Sequence, residues 1–172
     1  MCTDRFFGFS FAQDSQRRST RSSYTYSPSR VKVLLSSRVP HADGPRLAVP
    51  TVAAINGHCF AAGAIVALAC DYRVMTDGAK RNAWMCMNEV DFGAPWPVSF
   101  AAVTRAKVSA VRKFALEGHR FTPPEARDAG LVDEIVLGGT QGVLKRAREI
   151  AEEKAPKARE GVWGAIKVCL FP

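Results

Sequence analysis

Two short stretches of the chain carry residues able to do chemistry. In Asn88-Glu89-Val90-Asp91-Phe92-Gly93-Ala94-Pro95-Trp96-Pro97 two carboxylates, Glu89 and Asp91, stand among Met87, Val90, Phe92 and Trp96. Apolar surroundings disfavour a carboxylate anion, which suits a group that must take up a proton and return it near neutral pH. Glu89 is the candidate acid/base. Its position also suits an exposed loop acid or a helix cap, and Asp91, of the same parity along an extended chain, suits a partner amide or a basic side chain. In Ile55-Asn56-Gly57-His58-Cys59-Phe60-Ala61-Ala62-Gly63-Ala64 small residues crowd the junction between two apolar runs. The first amides of a helix have no acceptor within it and point outward with the positive end of the macrodipole. Ala61, Ala62 and Gly63 would therefore offer N–H groups to a carbonyl oxygen that gains negative charge, an oxyanion hole. Close packing of a helix against a sheet calls for the same small residues.

The elements that must position these groups can be read from periodicity. Residues 51–55 (TVAAI), bounded by Pro50 and Asn56-Gly57, form a short apolar run that predicts a buried strand; 63–71 predicts an apolar helix and 72–76 (YRVMT) a second strand. Strand, tight loop, helix, strand is a crossover unit, and strands buried on both faces belong to sheets covered by helices, an α/β architecture. Residues 83–90 read as extended. Beyond Pro97 the pattern predicts a helix over 98–117, another over 123–129 begun by Thr122-Pro123-Pro124, an extended piece in LVDEIV, and a charged amphipathic helix over 140–154. Residues 30–37 (RVKVLLSS) suit a short strand or a helical turn.

A chain of 172 residues with 47% hydrophobic and 23% charged residues is one domain with a real core. No apolar run approaches the roughly eighteen residues of a membrane span. Of the net charge of +8, a surplus of five belongs to residues 1–50, where SQRRSTRSSYTYSPSR is rich in Ser and Arg and lacks periodicity. Residues 1–46 are accordingly read as a basic, disordered or degenerate segment and 47–172 as the folded domain. No recognition pattern of basic and aromatic residues accompanies the basic segment, which reads as a solvated tail rather than a nucleic-acid surface. Cys2, Cys59, Cys70, Cys86 and Cys169 lie far apart with no Cys-x-x-Cys pair and no His at zinc spacing, so the expectation is reduced, mostly buried thiols and no metal. Phe100, Phe114 and Phe121 are expected in the core.

PTVAAINGHCFAAGAIVALACDYRVM, then NEVDFG, then RFTPPEARDAGLVDEIV, in that order and spacing, resembles the crotonase superfamily, over about residues 47–170. MNEVDFGAPWPVSFAAVTRAKV resembles most its plant-type isomerases that convert 3-enoyl-CoA to 2-enoyl-CoA. The resemblance implies a crotonase-like fold of repeated ββα-type units, incomplete at both ends, with a helical C-terminal part. It implies an oxyanion amide at Ala62, the middle of Ala61-Ala62-Gly63, with Glu89 as the single acid/base. Ile65 stands where the related hydratases carry a second glutamate, which favours isomerisation over hydration. Gly57, Ala61, Gly63 and Trp96 are the implied substrate contacts, and Trp84 is a further candidate for the acyl pocket. His58 is implied to pack, while Arg105 and Lys107 could face CoA phosphates, a solvated helix face or a subunit contact; His41 and His119 have no assigned partner. The first oxyanion amide of the family comes from a Ser-Asn-Gly loop whose only counterpart is Phe6-Phe7-Gly8. No metal or redox cofactor is implied, CoA entering as part of an acyl-CoA thioester substrate, and a homo-oligomer is implied as the assembly. The implied compartment is the peroxisome, although Leu170-Phe171-Pro172 is not a peroxisomal tripeptide; the cytoplasm is the alternative. The competing expectation is an inert, truncated homologue acting as a subunit or interaction protein.

Overall fold

The computed structural model describes residues 31–35, 49–80 and 82–170. Of the N-terminal segment 1–46 it therefore describes only strand β1 (Val31–Leu35); the Ser/Arg-rich stretch, Phe6-Phe7-Gly8 and His41 lie outside the described residues. The other strands are β2 (Thr51–Ile55), β3 (Cys59–Phe60), β4 (Tyr72–Thr76), β5 (Met85–Cys86) and β6 (Glu134–Val136). The helices are α1 (Ala62–Ala69), α2 (Val98–Lys107), α3 (Val111–Ala115), α4 (Pro123–Asp128), α5 (Gly139–Lys154) and α6 (Val162–Leu170), with 3₁₀ turns at Glu89–Phe92 and Ala155–Ala158.

The main sheet runs β1-β2-β4-β6, with β1 antiparallel to β2 and the remaining pairs parallel. Val52 lies opposite Tyr72 and Ile55 opposite Met75, so β2, α1 and β4 form the expected crossover. Every residue of β2 is buried, and its alternation divides the core into two layers. Ala53 and Ile55 join Leu68 of α1, Met75, Phe114 and Phe121 on one side of the sheet. Val52, Ala54 and Val74 meet Val143, Leu144, Ala147, Ile150 and Ala151 of α5 on the other. Those five α5 positions recur at helical spacing, and each large aliphatic side chain so buried contributes about 1.5–3 kcal/mol. Helix α4 opens on a capping box in which the Thr122 N–H donates to Glu125 Oε2 at 2.9 Å, with Pro123 in the first turn.

Two local expectations are corrected. The extended stretch 83–90 shrinks to Met85–Cys86, because its parallel partner β3 has only two residues before α1 begins and the chain turns into a 3₁₀ turn at Glu89. The single helix 98–117 is two helices: Val108 turns extended and buries its side chain at 5% exposure, and the Ser109 hydroxyl donates to the Ala129 carbonyl at 3.3 Å. Helix α6 and strand β3 have no counterpart in the sequence reading.

The amino ends of β2 and β4 are held by a polar network. Asp71 Oδ2 accepts from the Thr51 N–H (2.8 Å), the Thr51 hydroxyl (2.9 Å) and Lys167 Nζ of α6 (2.9 Å). Buried Arg73 pairs with Asp133 at 2.9 Å and donates to the Cys70 carbonyl at 3.2 Å. Among the described residues, no helix is long and apolar enough to cross a membrane.

Candidate active site

At the carboxyl end of β2 the chain passes buried Asn56, whose side-chain amide donates to the Thr140 hydroxyl in the first turn of α5, and then Gly57, buried with a φ of 130°. Such a φ is open to glycine and strained for other residues, so Gly57 makes the turn rather than offering a side chain. Strand β3 follows and pairs in parallel with β5: Cys59 lies opposite Met85 and Phe60 opposite Cys86. The Cys59 N–H donates to the Trp84 carbonyl at 2.8 Å, and the Ala61 N–H to the Cys86 carbonyl at 3.0 Å.

This short ladder fixes the entry to α1. Ala61 has φ 52° and ψ −130° and is the only non-glycine residue with positive φ among those described. Its carbonyl accepts from both Ala64 N–H (2.9 Å) and Ile65 N–H (3.2 Å), so its peptide is tied on each side. The N–H groups of Ala62 and Gly63, at the start of the helix, have no backbone acceptor among the described residues. Ala62 is exposed and Gly63 half-buried, so the first amides of α1 are open to a ligand.

The same ladder carries Glu89. Three residues beyond Cys86, Glu89 starts the 3₁₀ turn, and its carbonyl accepts from the Gly93 N–H and, at 3.0 Å, from the Ala94 N–H. Its side chain is buried at 7% exposure, and Oε2 has no hydrogen-bond partner among the described residues. A buried polar atom without a partner is uncommon in a folded protein and marks Glu89 as a candidate functional group. Ile65, in the first turn of α1, is buried and supplies no second carboxylate.

The surrounding residues sort themselves out. His58 stacks on Trp84 with centroids 4.9 Å apart, accepts the Trp84 N–H at Nδ1 (3.2 Å) and lies 5.3 Å from the ring of Phe60, which is a packing role. Trp84 also lies under the Arg120 guanidinium at 5.6 Å. Trp96 packs edge-on against Phe100 at 6.4 Å, beside the core layer that holds fully buried Phe114 and Phe121. Asp91 is exposed, with its carboxylate oxygens 3.0 and 3.1 Å from where a Cβ on Gly118 would stand. His119 Nε2 lies 3.4 Å from Glu125 Oε1. Lys107 is removed from the site: half-buried at the end of α2, it faces Arg73, Lys167, Asp71 and Asp133 at the far end of α1, and burial together with Arg73 pulls its pKa below the usual lysine range. Arg105 is exposed on the same helix.

Burial pushes the Cys86 thiol up to about 11, with Glu89 and Asp91 adding to the rise and Arg120 opposing it. Its Sγ–H donates to the Gly118 carbonyl at 3.2 Å. Cys86 is the residue that sequence reasoning passed over, since its contribution is a main-chain carbonyl and a thiol contact that only the pairing of β3 with β5 reveals.

The enoyl-CoA hydratase/isomerase family profile matches residues 9–166, reaching further toward the N-terminus than the motifs at 47–170. Enoyl-CoA delta isomerase 2, peroxisomal, of Arabidopsis thaliana is 37% identical over 130 residues, covering 73% of this chain and 53% of the relative. Enoyl-CoA delta isomerase 3 of the same plant is 36% identical over the same shares. An enoyl-CoA hydratase from Mycobacterium marinum superposes with a TM-score of 0.60 at 30% identity, over 70% of this chain and 52% of that one. The chain thus spans about half the length of the curated relatives it matches. The matched profile, the isomerase relatives and the shared α/β fold together establish that the chain belongs to the enoyl-CoA hydratase/isomerase, or crotonase, family.

Proposed function

We propose that the chain is an enoyl-CoA delta isomerase that transposes the double bond of a 3-enoyl-CoA to the 2-position. Glu89 removes a proton from carbon 2 of the thioester, and the electron pair delocalises through the carbonyl and the double bond as a dienolate. The thioester oxygen collects the charge at the Ala62 N–H, with Ala61 and Gly63 shaping the approach. Protonated Glu89 then delivers the same proton to carbon 4, so one carboxyl serves both ends of the allylic system. No metal or redox group takes part in these steps, and CoA enters with the substrate.

The observation that carries this reading is the buried Oε2 of Glu89, without a partner among the described residues, on a segment that the β3–β5 ladder ties to the start of α1. Ile65 in place of a second carboxylate favours isomerisation over hydration, which needs a further group to handle water. The peroxisomal relative supports the peroxisome as compartment; a place in the oxidation of unsaturated fatty acids and a homo-oligomeric assembly belong to the same proposal. A second reading is a catalytically inert homologue that acts as a subunit or interaction protein.

The test is turnover of 3-hexenoyl-CoA by the purified chain beside Glu89→Gln. Isomerisation that disappears in the variant, with unchanged circular dichroism, supports the assignment. A folded chain that turns over nothing favours the inert-subunit reading, and activity that survives in Glu89→Gln removes Glu89 from its role.

A further inference from the structure

We propose that Phe92 is a specificity-determining residue that sets the preferred length of the acyl chain, through direct contact with the methylenes beyond carbon 4. This role rests on the reading of Glu89 as the acid/base, because the reacting carbons must then lie against Oε2. Residues three apart in a 3₁₀ turn project on the same side, separated along the axis by about 6 Å. Glu89 and Phe92 are the first and last residues of such a turn, and two hydrogen bonds to the Glu89 carbonyl, from Gly93 and Ala94, hold it closed. The two side chains share a face but differ in depth: Glu89 is 7% exposed and Phe92 62% exposed.

A chain whose second and fourth carbons reach a carboxyl that deep must leave toward the surface, and on that side of the turn the surface is Phe92. It is also apolar for some distance. Along the sequence, exposed Val90 (50%) stands two residues before Phe92, and exposed Pro95, Pro97 and Val98 (84%) follow it. No charged side chain other than Asp91 occurs between Val90 and Val98, and Asp91 is turned onto Gly118. An exposed apolar rim next to the one buried carboxylate oxygen that lacks a partner among the described residues fits a hydrocarbon tail. The CoA moiety attaches at the other end of the thioester, on the carbonyl side that the α1 amides would hold, so tail and nucleotide leave in different directions. The committed occupant of the rim is therefore the fatty-acyl tail.

The experiment measures the affinity of hexanoyl-CoA and dodecanoyl-CoA for the purified chain and its Phe92→Ala and Phe92→Leu variants by calorimetry. Turnover of the matching 3-enoyl-CoA substrates is followed alongside. Removing the ring should weaken dodecanoyl-CoA about tenfold (~1.4 kcal/mol) and hexanoyl-CoA less than twofold, with leucine restoring part of the difference. Equal weakening of both ligands, no change in either, or no binding of either overturns the role of Phe92. Chain-length-selective binding without turnover of any substrate leaves Phe92 in place and removes the isomerase reading instead.

Discussion

Replacing Ala61 by glycine should stabilise the chain, against the usual direction of such a change. Ala61 holds φ 52° and ψ −130°, a region that a residue with a Cβ seldom enters, at a cost of about 1–3 kcal/mol. Three hydrogen bonds hold it there: its N–H donates to Cys86 at 3.0 Å and its carbonyl accepts from Ala64 and Ile65. Glycine adopts the same angles without strain, but it enlarges the unfolded ensemble by ~0.4–1 kcal/mol and gives up part of a half-buried methyl group, worth at most ~0.8 kcal/mol. Midpoint values leave a net gain of about 1 kcal/mol, or roughly 2–4 °C in Tm. Valine, branched at Cβ, should lose stability and carry the Ala62 amide out of place. Thermal unfolding by calorimetry of Ala61→Gly and Ala61→Val measures both. A glycine variant less stable than the unmodified chain would refute the view that this peptide is strained, and with it the account of how the amide is aimed.

Three further outcomes follow from the packing and the charges. Lys167→Met should cost about 1.5–3 kcal/mol, the range for a hydrogen bond to a charged group, because the Asp71–Lys167 pair is largely shielded at 12% and 21% side-chain exposure. Hydrogen exchange should quicken in α6 while β2 and β4 keep their protection, since Thr51 still holds Asp71. Iodoacetamide at pH 8 should label exposed Cys169 and spare Cys59, Cys70 and Cys86: burial raises all three thiols, Cys70 and Cys86 to about 11, and peptide mass spectrometry reads the pattern. Hydrogen bonds from Arg146 hold the Glu134 carboxyl below its ordinary value of 4.5. That pair therefore stabilises the fold above pH 4.5 and loses its contribution as pH falls through the lower folded-state value, so the stability gap between the unmodified chain and Arg146→Gln should close in acid titrations of Tm.

Elements with a local cause are legible along the chain. Thr51–Ile55 is apolar after its first residue and bounded by Pro50 and Asn56-Gly57, so it reads as a buried strand; Tyr72–Thr76 and the amphipathic α5 are as plain. Thr122-Pro123 announces α4 through its cap. The order of three motifs points to the crotonase family and, through it, to Ala62 and Glu89. Tertiary structure decided what depends on a partner. The strand at Met85–Cys86 is two residues long because β3 is, and α2 breaks at Val108 because that side chain enters the core. His58 became a stacking residue only once Trp84 lay against it, and the charged neighbours of Lys107, Arg73, Lys167, Asp71 and Asp133, come from other elements. Above all, the burial of Glu89 and the missing partner of its Oε2 arise where the β3–β5 ladder runs into a 3₁₀ turn. Periodicity reports which face of an element is apolar; it carries no record of what the opposite surface withholds from a carboxylate.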